Sequence, residues 1–142
     1  MESNQSHTHS SRAPKAVGLY PHARRAGDFL FLSGIGSRNP RDNSIAGLKL
    51  DENGNILDYD FEQQVHQVFY NIKVVLEDAG ATWEDLIDVT VYLIDMKRDF
   101  VTFNRLYAEY FKTNQPCRTT MEINALPTPI AIELKCVAYL GK

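Results

Sequence analysis

The chain has 142 residues, of which 44% are hydrophobic and 23% are charged, a composition typical of a single globular domain. Its formal net charge of −3 provides no basic field for binding nucleic acid or an anionic membrane. The start of the chain lacks an apolar signal segment and no apolar run is long enough to span a bilayer, so we expect a cytoplasmic protein. Cys117 and Cys136, on neighbouring predicted strands, match no disulfide framework or zinc pattern and are expected to be reduced.

The first part of the sequence predicts a tail followed by short strands. Residues 1–13 are mainly polar and turn-forming, and we expect a flexible tail there, before a single domain of residues 14–142. A short strand is expected at 16–20. The segment "GDFLFLSGIG" predicts an apolar strand between glycines, and the pair Asn53-Gly54 predicts a hairpin turn.

Hydrophobic periodicity predicts two helices. The first covers 61–79, with Asp60 and Gln63 suited to cap its start and Gly80 suited to close its end. The second is expected over 98–112 because aromatic residues recur there at helical spacing. The apolar stripe of the first helix consists of Phe61, Val65, Val68, Phe69, Ile72, Val75, Leu76 and Ala79, and that of the second consists of Phe100, Phe103, Tyr107 and Phe111.

Three further strands are predicted around the second helix. The segment "LIDVTVYLIDM" alternates in the manner of a strand, and two more strands at 117–124 and 130–139 are joined by the proline-rich turn "ALPTP". The resulting order, β-β-hairpin-α-β-α-β-β, favours an α+β fold with two helices packed on one face of a sheet.

Two charged residues lie in strands that otherwise predict burial. Alternation places Arg118 and Thr120 on a polar face of one strand, and it places Glu133 opposite the apolar face of the last strand. One interpretation is a solvated face on which both charges pair with other side chains. The other is a cleft where the arginine binds a carboxylate and the glutamate transfers protons. Asn104, which borders the aromatic stripe of the second helix, is compatible with both interpretations.

Four segments resemble the signature segments of the Rid family. They are "GLYPHA", "FLSG", "FNRLYAEYF" and "CRTTMEINALP…IELKCVAY", and the resemblance covers nearly everything from residue 14 onward. The arginine-rich segment "YPHARRAGDFLFLSGIGSRNPRDNSIAG" and the following insert are similar to one branch, the 2-aminomuconate deaminases of bacterial aromatic catabolism. The resemblance implies a chorismate-mutase-like α+β fold with a mixed sheet. It also implies a homotrimeric barrel with its active clefts at the subunit interfaces.

The resemblance also implies a role for each matching residue. Arg118 would bind the substrate carboxylate, and Glu133 would orient or activate the attacking water. The other positions implied to bind substrate are Tyr20, Ser33, Asn104 and Thr120. Thr120 stands where many imine-hydrolysing relatives carry a cysteine, and Ile35 replaces a common glutamine, so these departures favour a specialised substrate over small imino acids.

The implied reaction is hydrolytic deamination of the enamine 2-aminomuconate to 4-oxalocrotonate (2-oxohex-3-enedioate) and ammonia, with no metal or organic cofactor. A dicarboxylate substrate favours a second cation in the cleft. Arg24 and Arg25 are the preferred candidates because they lie in "YPHARRAG", whereas Arg38 and Arg41 follow in the next loop; each also has an interpretation as a surface charge. His22 is either a proton carrier or a loop histidine with satisfied hydrogen bonds.

Other functions stay open at the level of sequence. A general deaminase of reactive enamines and imines would use the same cleft and differ only in substrate preference. A non-catalytic regulator that binds a metabolite would need Arg118 but would gain little from Glu133 beside a bound anion. Ribonuclease activity is disfavoured by the negative net charge and the absence of a basic, aromatic surface.

Overall fold

The computed structural model describes residues 6–141, in which two helices pack on one face of a mixed sheet. The helices are α1 (Phe61–Asp78) and α2 (Met96–Tyr110), and a 3₁₀ turn covers Trp83–Asp85. The strands are β1 (His7–Thr8), β2 (Ala23–Ala26), β3 (Phe29–Leu32), β4 (Ile35–Gly36), β5 (Lys49–Leu50), β6 (Ile56–Asp58), β7 (Leu86–Leu93), β8 (Cys117–Glu122) and β9 (Ile132–Tyr139). Neither helix has the length and apolarity that crossing a membrane requires, as far as the described residues extend.

Helix α1 begins and ends at the signals in its sequence. The Asp60 side chain caps the first turn by accepting a hydrogen bond from the backbone N–H of Gln63 at 3.1 Å. At the other end Gly80 adopts a φ of 83°, and the N–H of Ala81 donates to the Leu76 carbonyl at 2.8 Å. This Schellman ending needs a residue that tolerates positive φ, which explains the glycine.

The sheet has the strand order β1-β2-β3-β9-β7-β8, and β4 also pairs with β9. Strand β9 therefore runs through the middle of the sheet, with β3 and β4 on one side and β7 on the other. Strands β7 and β8 are parallel because α2 connects them as a crossover. Strands β5 and β6 form a separate antiparallel hairpin.

Three predicted features differ from the structure. Strand β7 lies between β8 and β9, so the last two strands do not pair, and Cys117 and Cys136 are on separate, non-adjacent strands. Residues 17–19 form bends, and the predicted strand at 16–20 is not present. Helix α2 begins at Met96, two residues before the predicted start, because Asp95 caps its first turn.

Part of the predicted amino-terminal tail is ordered. Strand β1 pairs with β2, and Ser10 is buried with its hydroxyl donating to Asp78 Oδ2 at 2.6 Å. Arg12 donates to the other oxygen of the same carboxylate at 2.7 Å. Polar contacts to the end of α1 thus fix the segment around Ser10 and Arg12, which its composition alone predicts to be flexible. Residues 1–5 of the predicted tail lie outside the described residues.

The core fills the space between the helices and one face of the sheet. Alternate residues of β7 and β9 face the helices and are buried, among them Val89, Val91, Leu93, Ile132, Leu134 and Cys136. The opposite face is open and carries three aromatic side chains, Phe29, Phe31 and Tyr139, with exposed fractions of 41%, 43% and 39%. The Phe29 ring centroid lies 5.2 Å from that of Tyr139 and 6.4 Å from that of Phe31, so the three rings form one aromatic patch.

Candidate functional site

The candidate site begins at an interruption in the pairing of β9. Strands β3 and β4 both pair with β9, but Ser33 and Gly34 between them do not. Ser33 instead donates its backbone N–H to the His22 carbonyl at 3.0 Å and its hydroxyl to the Pro21 carbonyl at 2.7 Å. The interrupted pairing leaves a recess beside β9.

A cavity of about 300 Å³ occupies this recess, a volume at the lower end of the range for small-molecule sites. Three of the predicted site residues line it. Its charged side chains are one acid and two cations, and the resulting net positive charge suits an anionic ligand. The polar and glycine residues that line it include Tyr20, Ser33, Gly34, Arg38, Glu133 and Lys135. Within residues 6–141, no group of three or more His, Cys, Asp or Glu side chains is arranged to hold a metal ion.

Glu133 is the acid of the cavity. Its carboxylate packs against Gly34 so closely that a Cβ at position 34 would require Oε1 to move from its present place. Burial raises the pKa of the Glu133 carboxyl, and the positive charge of Arg38 opposes part of that rise. A carboxylate with a raised pKa is a stronger base at neutral pH than an ordinary glutamate.

Arg38 reaches the cavity from the loop after β4, and contacts on both sides fix its position. Asn71, on the buried face of α1, donates its side-chain amide to the carbonyls of Gly36 and Arg38, each at 2.9 Å. The Arg38 guanidinium donates to the Lys15 carbonyl at 2.7 Å and to Asn43 Oδ1 at 3.1 Å. The cation is therefore held in place by the chain itself.

The two preferred candidates for the second cation lie outside this cavity of one chain. Arg24 and Arg25 lie on β2, which β3 separates from β9, and neither side chain lines the cavity. Arg38 and Lys135 line it instead. The signal for Lys135 in the sequence is its position two residues after Glu133, because side chains at that spacing share one face of a strand.

Arg118, Thr120 and Asn104 form a second group, outside the cavity. Arg118 and Thr120 are in register with buried residues of β7, so they lie on the helix side of the sheet. The Arg118 guanidinium carbon lies 4.6 Å from the Tyr107 ring centroid, within cation–π range. Asn104 is exposed three residues before Tyr107, on the same face of α2.

The predicted single cleft containing both charges does not form within one chain. Glu133 lies on the open face of the sheet, Arg118 lies on the helix face, and β7 separates their strands. Alternation along each strand predicts which residues share a face, but it does not predict how the faces of different strands are matched. Strand β8 is an edge of the sheet, so the Arg118 group lies at the border of the chain.

Two buried hydroxyls accompany Arg118. Tyr107 Oη and Thr120 Oγ1 are buried and have no hydrogen-bond partner within residues 6–141. Burial raises the pKa of Tyr107 to about 12, although Arg118 opposes the shift, so the hydroxyl is protonated at neutral pH and can donate. Because an unpaired buried hydroxyl costs free energy, this group is suited to a polar partner from outside the chain.

His22 is a structural residue. Its Nδ1 accepts a hydrogen bond from the Ser10 N–H at 2.9 Å, and its Nε2 lies 2.7 Å from the Pro14 carbonyl, to which it donates. Both ring nitrogens are occupied in tying the amino-terminal segment to the strand that follows. This geometry supports the interpretation of His22 as a loop histidine with satisfied hydrogen bonds.

The structure is that of an α+β protein with a cavity of small-molecule size beside the central strand of its sheet. The sequence model of the family described as Endoribonuclease L-PSP matches residues 10–140. The chain is 40% identical over 130 residues to a RutC family protein of Pyrococcus horikoshii, covering 92% of this chain and 94% of that protein. It is 34% identical over 131 residues to Reactive Intermediate Deaminase A, chloroplastic, of Arabidopsis thaliana, covering 92% and 64%.

A solved structure of similar shape comes from Yersinia pestis. This protein, YyfA, is described as a protein of unknown function of the conserved Rid family, and it superposes with a TM-score of 0.78 at 30% identity, covering 94% of this chain and 98% of that one. The chain belongs to the Rid family. The family resemblance predicted from the sequence is thus confirmed, as is the α+β fold with two helices on one face of a mixed sheet.

Proposed function

We propose that this chain is a deaminase that hydrolyses an enamine or imine, and that its substrate is 2-aminomuconate. The observation that carries the proposal is Glu133, a half-buried carboxylate with a raised pKa in a cavity that also contains two cations. The name of the Arabidopsis relative, Reactive Intermediate Deaminase A, supports the general reaction. The sequence similarity to 2-aminomuconate deaminases and the two cations support a dicarboxylate substrate.

The proposed active site is shared between neighbouring chains of a homotrimer. One chain supplies the cavity, with Tyr20, Ser33 and Glu133. The next chain supplies the Arg118 group, which consists of Asn104, Arg118 and Thr120. This arrangement explains why Arg118 and Glu133 lie on opposite faces of one sheet. It also provides a partner for the buried hydroxyls beside Arg118 and a cover for the aromatic patch.

The proposed mechanism uses the imine tautomer of the substrate. Arg118 binds the carboxylate next to the C=N carbon, which orients that carbon and makes it more electrophilic. Glu133 accepts a proton from water as the water oxygen bonds to the carbon, and the proton passes to nitrogen to give a carbinolamine. Collapse of the carbinolamine breaks the C–N bond, transfers the hydroxyl proton to the leaving nitrogen and releases ammonia and 4-oxalocrotonate.

The test is ammonia release from freshly generated 2-aminomuconate and, in parallel, from 2-iminopropionate. We expect the wild type to prefer 2-aminomuconate and Arg118→Ala to lose this activity, whereas the loop variant Arg41→Ala retains it. Preference for 2-iminopropionate would instead identify a general deaminase of reactive intermediates. Turnover of neither substrate would reject the enzymatic proposal and favour a metabolite-binding regulator.

A further inference from the structure

We propose that Arg38 and Lys135, which line the same cavity, form the binding site for the second carboxylate of a dicarboxylate substrate. The inference rests on the proposed function, in which Arg118 of the neighbouring chain binds the carboxylate next to the reacting carbon. In this arrangement Arg118 holds one carboxylate at the border of the cavity and Glu133 lies at the reacting carbon. The other end of the substrate then extends toward the part of the cavity wall that neither residue occupies. Arg38 and Lys135 are the cations that line this cavity within residues 6–141.

The position of Arg38 is fixed before any ligand binds. Its carbonyl accepts from Asn71, and its guanidinium donates to the Lys15 carbonyl and to Asn43. A guanidinium has five N–H donors, so the groups not used in these contacts remain to bind a carboxylate. Because the side chain is already ordered, binding an anion costs little further conformational entropy.

The charges of the cavity match a diacid better than a monoacid. Arg38 and Lys135 supply two positive charges and ionised Glu133 supplies one negative charge, which leaves one net positive charge. Arg118 from the neighbouring chain would raise this to two. A dicarboxylate supplies two negative charges and balances them, whereas a monocarboxylate leaves one cation without a counter-ion.

Lys135 has a secondary part in this site. Its Nζ donates to the carbonyl of Leu32, the last residue of β3, at 2.6 Å. The side chain is otherwise exposed, so water competes for its remaining donors. The Arg38 guanidinium is planar and already fixed by hydrogen bonds. We therefore expect Arg38 to contribute more to carboxylate affinity than Lys135.

A different role for Arg38 predicts a different result. The charge of Arg38 opposes the rise in the pKa of Glu133, so the alternative role for Arg38 is to tune that acid alone. In that case the loss of Arg38 would affect every substrate and ligand in the same way. A role in binding the second carboxylate predicts an effect confined to diacids.

The experiment measures the binding of two unreactive acids by titration calorimetry with the full chain. The probes are hexa-2,4-dienedioate (muconate) and hexa-2,4-dienoate (sorbate), which share a carbon skeleton and differ in the second carboxylate. We expect the wild type to bind muconate about tenfold or more tightly than sorbate, as one charge-assisted hydrogen bond predicts. Arg38→Gln should remove this preference without changing the affinity for sorbate, and the matched variant Arg41→Gln should keep it.

Three results would overturn the inference: equal or undetectable binding of both acids by the wild type, a muconate preference that survives in Arg38→Gln, or an equal loss of affinity for both acids. The measurement does not depend on turnover. Diacid preference without ammonia release would reject the deaminase and keep the carboxylate site. Ammonia release without diacid preference would reject the carboxylate site alone.

Discussion

The absence of one side chain makes room for the acid of the cavity. Gly34 leaves space that the Glu133 carboxylate occupies, and a Cβ at this position would require the carboxylate to move. In that position the carboxylate is partly removed from water, which raises its pKa and makes it a better base. The same desolvation disfavours the ionised form, so the feature that suits catalysis should reduce stability.

The first prediction concerns turnover. Glu133→Gln should reduce the kcat of ammonia release by about 100- to 10,000-fold, the usual contribution of a general acid or base. Muconate should still bind, since the amide is nearly isosteric and the cations are unchanged. Glu52→Gln, at an exposed position in the hairpin turn, is the matched control and should leave kcat unchanged. Equal loss of binding and turnover in Glu133→Gln would argue against a catalytic role.

The second prediction concerns stability as a function of pH. Because the pKa of Glu133 is raised in the folded protein, the folded state binds this proton more tightly than the unfolded state, and stability falls as pH rises through the ordinary glutamate range toward the folded pKa. Glutamine has no such penalty. Glu133→Gln should therefore raise the Tm at neutral pH, by an amount that shrinks as the pH falls from the folded pKa toward the ordinary glutamate pKa and vanishes below it. Scanning calorimetry of both proteins between about pH 4 and pH 8 measures the difference; a constant difference would contradict the prediction.

At the scale of elements, α1 supports the cavity as well as the core. Two polar residues on its buried face contact the chain that leads into the cavity. Asn71 donates to the carbonyls of Gly36 and Arg38, and Gln64 accepts from the Ser37 hydroxyl at 2.7 Å. The helix therefore fixes the loop that carries Arg38.

The third prediction tests this support. Asn71→Ala leaves two backbone carbonyls without their partner and should lower the free energy of unfolding by about 1–3 kcal/mol. It should also weaken muconate binding, because the loop carrying Arg38 loses its anchor. Gln67→Ala, one turn earlier on α1, removes only a contact to Asn71 at 2.9 Å and should cost less than about 1 kcal/mol. Urea unfolding followed by circular dichroism gives both values, and equal costs would refute the assigned role.

Local signals in the sequence predicted the two helices, but they could not predict the order of the strands in the sheet. The ends of α1 follow from Asp60 and Gly80, which act within one turn of the helix. The position of β9 depends on pairing with strands that lie far away in the sequence, and nothing local to residues 132–139 specifies that order. For the same reason Arg118 and Glu133 could be identified as unusual strand residues, but their placement on opposite faces could not.

The ordered amino-terminal segment shows a related limit. Its residues are polar and predict disorder by composition, but Ser10 and Arg12 both bind Asp78 at the end of α1. These contacts join residues more than sixty positions apart. A prediction from composition treats each segment alone, so it cannot include such partners.

At the scale of the whole molecule, the chain carries two incomplete halves of the proposed site. The cavity with Glu133 lies on the open face beside the aromatic patch, and the Arg118 group lies at the β8 edge. An unpaired sheet edge and an exposed aromatic face are both features that association between chains covers. The proposed trimer would complete three sites with the same contacts that hold it together.

The fourth prediction tests the sharing of the site. Arg118→Ala and Glu133→Gln should each be inactive alone, but refolding them together in equal amounts should restore activity at about one interface in four, where an intact Glu133 meets an intact Arg118. Mixing Glu133→Gln with the double variant should restore nothing, since no interface then contains the acid. Absence of rescue in the first mixture, with mixed oligomers shown by mass spectrometry, would indicate that each site belongs to one chain.

The central position of β9 has a consequence for synthesis of the protein. This strand lies farther along the sequence than every other described strand, but it separates β3 and β4 from β7. As the polypeptide leaves the ribosome, β3, β4 and β7 emerge before β9, the strand that joins them. The sheet therefore cannot form completely until β9 has also emerged. Ser33 and Glu133 can line one cavity only after the whole of β9 has been synthesised. A nascent chain interrupted before that point therefore has neither a complete sheet nor a cavity.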